Sequence, residues 1–215
     1  LRSSRGPASR GVARCTRQIG LEDDDAVAIV VEGGEVEAVE QRGLLDGVGR
    51  QELLFGAQRL ISPLDWANTR RTFEGAMLLY EDGPWSIDTF YTAYVPPRAN
   101  DFDKADWQQQ FYGSYAVYTA SPNNTLDLYY IGYDNRRPGE IVSDFSLHTF
   151  GSRLFRTFEN NWMFETEGGV QLGRQSGLDK DQRAGFATVG VGRKAPEHQW
   201  RPELWTYFDY ASGND

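Results

Sequence analysis

Trp162-Met163-Phe164-Glu165-Thr166-Glu167-Gly168-Gly169-Val170-Gln171-Leu172 splits into two chemically different sets of alternate residues. Trp162, Phe164, Thr166, Gly168, Val170 and Leu172 make a mostly apolar set, and Met163, Glu165, Glu167, Gly169 and Gln171 a wetter one. A period of two belongs to a β-strand, whose successive side chains point to opposite faces. Segment 85–95 repeats the pattern: Trp85, Ile87, Thr89, Tyr91, Ala93 and Val95 alternate with Ser86, Asp88, Phe90, Thr92 and Tyr94.

Outward from these two stretches, aromatic and β-branched runs are separated by Asp82-Gly83-Pro84, Ser121-Pro122-Asn123-Asn124 and Ser176-Gly177-Leu178-Asp179, each suited to a tight reversal. The spacing predicts strands over 48–57, 72–81, 85–95, 107–119, 125–134, 145–156, 161–173, 182–193 and 202–211. Strands of about ten residues match the ~9–11 that cross a bilayer when tilted, and exceed the ~5–6 usual in soluble sheets. Short links at 82–84 and 120–124 alternate with longer ones at 96–106 and 135–144, as in transmembrane barrels. Tyr80, Trp85, Tyr94, Trp107, Tyr118, Trp162, Trp200, Trp205 and Tyr210 lie near strand ends, where amphipathic rings suit the headgroup level. The fold class expected is all-β: an antiparallel up-and-down transmembrane β-barrel of about nine strands.

Composition agrees with this class and removes others. The net charge of -9 offers no basic field for nucleic acid. No run approaches the ~18 apolar residues of a membrane-spanning helix, whereas a barrel hides its lipid face in alternate residues. The single Cys15 permits no internal disulfide or cysteine cluster, and His148 and His198 are too far apart to suggest a metal site. No metal and no cofactor are expected. All 29 aromatic residues fall at or after Phe55. The opening stretch instead holds Arg2, Arg5, Arg10, Arg14 and Arg17 among small residues, then the acidic run Glu22 to Asp25. Residues 1–47 are therefore expected to form a weakly structured arm, and 48–215 the barrel region.

Val48-Gly49-Arg50-Gln51-Glu52-Leu53-Leu54-Phe55-Gly56, Gln58-Arg59-Leu60-Ile61 and Leu64-Asp65-Trp66-Ala67-Asn68-Thr69-Arg70-Arg71-Thr72-Phe73-Glu74-Gly75 resemble the bacterial alginate export family. Further matching stretches are Leu126-Asp127-Leu128-Tyr129-Tyr130-Ile131-Gly132, Asp134-Asn135-Arg136, His148-Thr149-Phe150-Gly151-Ser152-Arg153-Leu154 and Asp209-Tyr210-Ala211-Ser212-Gly213. The resemblance runs from Val48 to the C-terminus. It implies an outer-membrane barrel, of about eighteen strands in the best-known member, that passes an anionic exopolysaccharide outward. Two departures, the aromatic-free opening and the stop at Asp215, make this chain look like part of such a barrel. The partners implied are the outer-membrane bilayer, an anionic polysaccharide or small solute, and periplasmic export proteins.

An exporter works through its lumen, where charge selects the permeant. Arg suits a uronate, because its planar fork binds a carboxylate bidentately. Candidates at family-matching positions are Arg50, Arg59, Arg70, Arg71, Arg136 and Arg153, with Arg174, Arg183 and Arg193 added from alternation. Glu52, Asp65, Asn68, Glu165 and Glu167 complete the set of pore-lining or substrate-contact candidates. The plainer expectation is that the arginines pair with Glu52, Asp65, Glu74, Asp134, Glu165 and Glu167 and merely neutralise a polar lumen. Segment 62–71 interrupts the strands with Pro63, Asp65 and Asn68 yet carries Trp66, and either folds inward as a constriction, the expectation favoured, or caps the rim. From Val48 on, acids outnumber bases, so counting does not support a uniformly positive channel.

No catalytic residues are expected. Gly190-Val191-Gly192 lies in strand context rather than before a helix, and Glu165 and Glu167 share one strand face without an opposing carboxylate geometry. The alternatives to a channel are a soluble carbohydrate-binding β-sandwich and a small non-conducting membrane barrel filled by side chains.

Overall fold

The computed structural model describes residues 44–64, 66–99 and 102–213. These form one antiparallel sheet of nine strands in chain order. They are β1 (Leu44–Gln51), β2 (Thr72–Asp82), β3 (Trp85–Val95), β4 (Asp106–Ser121), β5 (Asn124–Asn135), β6 (Phe145–Thr157), β7 (Trp162–Gln175), β8 (Lys180–Lys194) and β9 (Glu203–Ala211). Every strand pairs with its neighbours in sequence, which is the expected up-and-down order. Among the described residues β1 and β9 are edges and the sheet is not closed. A sandwich needs a second sheet stacked on the first, and the described residues form one sheet only.

Eight of the expected strands match within a few residues, and the first differs. β1 spans Leu44–Gln51 instead of 48–57, so it opens ahead of Val48 and ends six residues early. The chain leaves the sheet after Gln51, and the left-handed Gly56 (φ 54°) and Gln58 (φ 60°) then turn it instead of letting it run on as a strand. The expected arm lies, up to residue 43, outside the described residues, as does Asp65.

Burial distinguishes the two faces. Phe73, Met77, Phe90, Tyr115, Tyr129 and Ile131 form a buried cluster on what we call the inner face. Their register is consistent, with Met77 opposite Phe90 and Tyr115 opposite Tyr129. The outer face carries Ala76 and Leu78 on β2, Ile87 and Thr89 on β3, and Leu126 and Leu128 on β5. It continues through Phe150 to Leu154 on β6 and alternate residues from Phe164 to Leu172 on β7, then Val189 and Val191 on β8. From β2 to β9, the middle of this face holds no charged side chain. Its charges stand at strand ends: Glu74, Asp134, Arg174, Asp181 and Arg183 at one, Asp82, Arg156 and Arg193 at the other.

The links sort by end. Segments 52–71, 96–105, 136–144 and 176–179 lie at one end, 83–84, 122–123, 158–161 and 195–202 at the other. We call these the long-link and short-link ends, although 195–202 is itself a long connection and 176–179 a short one. A row of ring contacts crosses the outer face near the long-link end: Trp107 to Tyr91 (6.2 Å), Tyr91 to Tyr112 (6.0 Å), Tyr112 to Tyr130 (6.4 Å) and Tyr130 to His148 (6.0 Å). Near the short-link end Trp85 meets Tyr118 at 4.8 Å, and Arg193 lies over Trp162 at 5.2 Å. Trp107 and Tyr118 are separated by eleven positions of β4. At ~3.4 Å per residue and a tilt of ~40° that is about 28 Å, close to the ~25 Å apolar band of membrane barrels. Tyr94 and Trp205 do not belong to these rows. Both face inward, opposite Phe73 and Gly192 respectively, because position along a strand does not determine face.

Candidate functional site

The segment between β1 and β2 folds onto the inner face. Leu53, Phe55, Ile61 and Pro63 are buried, with Phe55 stacked on Tyr115 at 4.9 Å and Phe90 at 5.6 Å. Gly56 is required by this approach, since a Cβ there would lie 2.3 Å from Tyr115 Oη. Leu64 (φ 60°) is also left-handed, a conformation that costs a branched residue ~1–2 kcal/mol and persists only under strong tertiary restraint. The restraints are at hand: Arg71 N donates to Pro63 O (2.8 Å), and Leu64 N to Ser62 Oγ (3.1 Å). The inward fold thus runs mostly ahead of the expected 62–71, where Pro63 alone among the described residues is buried. Trp66 is 84% exposed, and Asn68 is exposed as well.

Arg59 extends from this segment to β7. Its Nη1 donates to Glu165 Oε1 and Glu167 Oε2, both at 2.7 Å. On β6, Arg153 donates through Nε to Glu165 Oε1 (2.7 Å) and through Nη1 to Asp127 Oδ2 on β5 (3.0 Å). Three phenols complete the cluster: Tyr115 donates to Asp127 Oδ2 (2.8 Å), Tyr129 to Glu167 Oε1 (3.0 Å) and Tyr207 to Glu165 Oε2 (2.8 Å). Asp127, Glu165 and Glu167 are all buried. Two guanidiniums thus face three carboxylates, and each carboxylate also accepts a phenol bond, the arrangement buried charge demands.

The register explains why these groups meet. Asp127, Arg153 and Glu167 are successive cross-strand partners on β5, β6 and β7, with Glu165 two residues along the same face. Gly151, on β6 between Tyr129 and Gly169, would place a Cβ 2.4 Å from Tyr129 Oη, so glycine lets that ring cross β6 to reach Glu167. Burial disfavours the charge on Arg59, but its bonds to Glu165 and Glu167 and their charges outweigh that and raise its pKa further. The Arg59 side chain keeps a quarter of its exposure.

The other expected residues lie elsewhere. Arg70 pairs with Glu52 (2.8 Å) at the long-link end. Arg71 is half-buried in the same segment. Arg50 faces outward, 3.5 Å from Glu74, and Arg136 pairs with the outward Asp134 at 3.4 Å. Arg174, Arg183 and Arg193 also stand on the outer face, opposite Ser146, Leu172 and Trp162, and not on the inner wall as alternation was read to suggest. They occupy strand ends, where a cation on the outer face reaches water. Arg174 pairs with Asp179. The sequence reading missed Asp127, Tyr115, Tyr129 and Tyr207. Leu126-Asp127-Leu128 held the clue for the first, a lone carboxylate between outward leucines; the tyrosines gave none.

Among the described residues no group of three or more His, Cys, Asp and Glu side chains could hold a metal ion. A family model described as alginate export matches residues 38–215. The chain belongs to the alginate export family. The match begins ten residues ahead of Val48, where the resemblance had been read to start. No curated protein and no solved structure was found to match the chain. The alginate export family is a transport family of the outer membrane, and its members export polysaccharide in general terms.

Proposed function

We propose that the nine strands form part of the wall of an outer-membrane channel that passes an anionic polysaccharide outward, small solutes following passively. The observation that carries this reading is the inversion of the sheet: an outer face without charge across the middle of β2 to β9, against an inner face with buried carboxylates and arginines. In water that arrangement is unfavourable, and in a bilayer it is what a barrel wall requires. The long-link end faces outside and the short-link end the periplasm, following the usual asymmetry of such barrels. There the short links are the side available to periplasmic export proteins.

On this reading the inward segment narrows the lumen, and Arg59 and Arg153 supply positive charge without a surplus. Asp127, Glu165 and Glu167 hold them in place and exceed them by one charge, so an acidic chain meets the partly exposed Arg59 guanidinium against a slightly negative background, and slides past instead of being trapped. Arg70, Arg71, Glu52 and Asn68 belong to the long-link mouth. No covalent step is assigned. The test is refolding of the full chain into micelles, with a heat-dependent gel shift, followed by recordings in planar bilayers. Channels blocked by an acidic oligosaccharide support the reading; a stable β-fold in plain buffer without micelles overturns it.

A further inference from the structure

Trp205 and Tyr207 lie side by side on the inner face of β9, ring centroids 5.3 Å apart and planes within 13°. They sit opposite Gly192 and Gly190 on β8. A Cβ at Gly192 would come within 2.5 Å of the Trp205 ring, and one at Gly190 within 2.3 Å of the Tyr207 ring. The Trp205 ring therefore packs over the Gly192 backbone, whereas the Tyr207 ring lies between Gly190 and the Arg59 guanidinium. They are also fixed in place: Trp205 Nε1 donates to Glu203 Oε1 (2.6 Å) and Tyr207 Oη to Glu165 Oε2 (2.8 Å). Phe155 borders Trp205 at 6.2 Å, and the Arg59 guanidinium lies over Tyr207 at 5.3 Å. The residues in contact with the charge cluster thus continue into an aromatic shelf toward the short-link end.

Nothing in the charge cluster requires Trp205, and its glycine seat gives it no core to fill. We propose that Trp205, flanked by Tyr207, forms a stacking platform for pyranose rings, a neutral saccharide subsite on the inner wall beside Arg59; this rests on the channel reading above. A pyranose presents an apolar C–H face of about ring size, and a preordered aromatic plane covers it without losing rotamer freedom. Stacking on a ring face does not depend on charge. The subsite therefore takes neutral as well as acidic sugar rings, and Arg59 adds preference for the acidic ones.

The experiment uses the full chain in planar bilayers with two probes of equal length, a neutral hexaglucan and a hexauronate. Both block wild-type current. Trp205→Ala weakens the block by the neutral probe about ten-fold, Trp205→Phe restores much of it, and Arg59→Gln weakens only the block by the acidic probe. Conducting channels that the hexaglucan does not block, or blocks equally well in Trp205→Ala, overturn the platform and leave the channel reading standing. If no channel forms at all, the channel reading fails, and calorimetric titration of the hexaglucan into micellar protein decides the platform separately. Binding lost in Trp205→Ala then supports it, and absent or unchanged binding overturns it.

Discussion

Arg59 joins a segment that has left the sheet to β7, bonding carboxylates 106 and 108 positions further along the chain. Removing it strands two buried acids. Because the guanidinium is partly exposed and Arg153 still serves Glu165, Arg59→Gln is expected to cost about 1–3 kcal/mol, below the 3–5 of a fully buried pair. The urea midpoint of micellar protein measures this. Tyr129→Phe removes one donor to Glu167 and should cost about 1 kcal/mol. Gly151→Val should cost more than Tyr129→Phe in the same assay, since a side chain there displaces the ring and loses the bond as well. An equal or smaller effect would show that Tyr129 does not need the glycine gap. At this scale the sequence was half legible. Its arginines and acids announced that they would pair, and Arg59, Arg70 and Arg153 do. Which acid each one meets depends on strand register and on a loop crossing the sheet, and neither is encoded locally.

The strands were legible because their side chains keep a period of two over lengths that no helix pattern fits, with turn residues between them. The failure at 52–57 is equally physical. Leu53 and Phe55 are apolar at a spacing of two, as in a strand, and the same spacing seats a chain lying on an inner face. What separates the two cases is pairing, which stops at Gln51, and the left-handed turn at Gly56 and Gln58. The faces yield a contrast on one strand. Val170→Arg, in the charge-free outer band, is expected to destabilise the refolded protein by about 2–4 kcal/mol, whereas Gln171→Arg on the inner face should change little. Comparable midpoints for both would mean that the outer face does not meet lipid. The inward segment offers a second contrast. Replacing residues 53–63 with a short Gly-Ser link removes Phe55 and Arg59 from the inner face, and single-channel conductance should rise. Unchanged conductance would show that the segment does not narrow the path.

Across the whole molecule the sheet has two properties that a soluble β-protein avoids together: exposed apolar side chains in rows over its outer face, and buried charge on its inner one. Membership of the alginate export family agrees with that inversion without depending on it. The excess of acids over bases beyond Val48 is likewise resolved by position. Asp127, Glu165 and Glu167 are inner-wall partners of arginines, whereas Asp134, Asp179 and Asp181 stand at the long-link end. Composition could not show this, because it counts charges without assigning them a face. The most direct test of the inverted sheet is a quenching scan along β7. Each of residues 163–172 is changed in turn to Cys in a Cys15→Ser chain, labelled with a fluorophore and reconstituted with lipids brominated in their acyl chains. Quenching should alternate, strong at even positions such as Val170 and weak at odd ones such as Gln171. Uniform quenching, or the opposite alternation, would contradict the account.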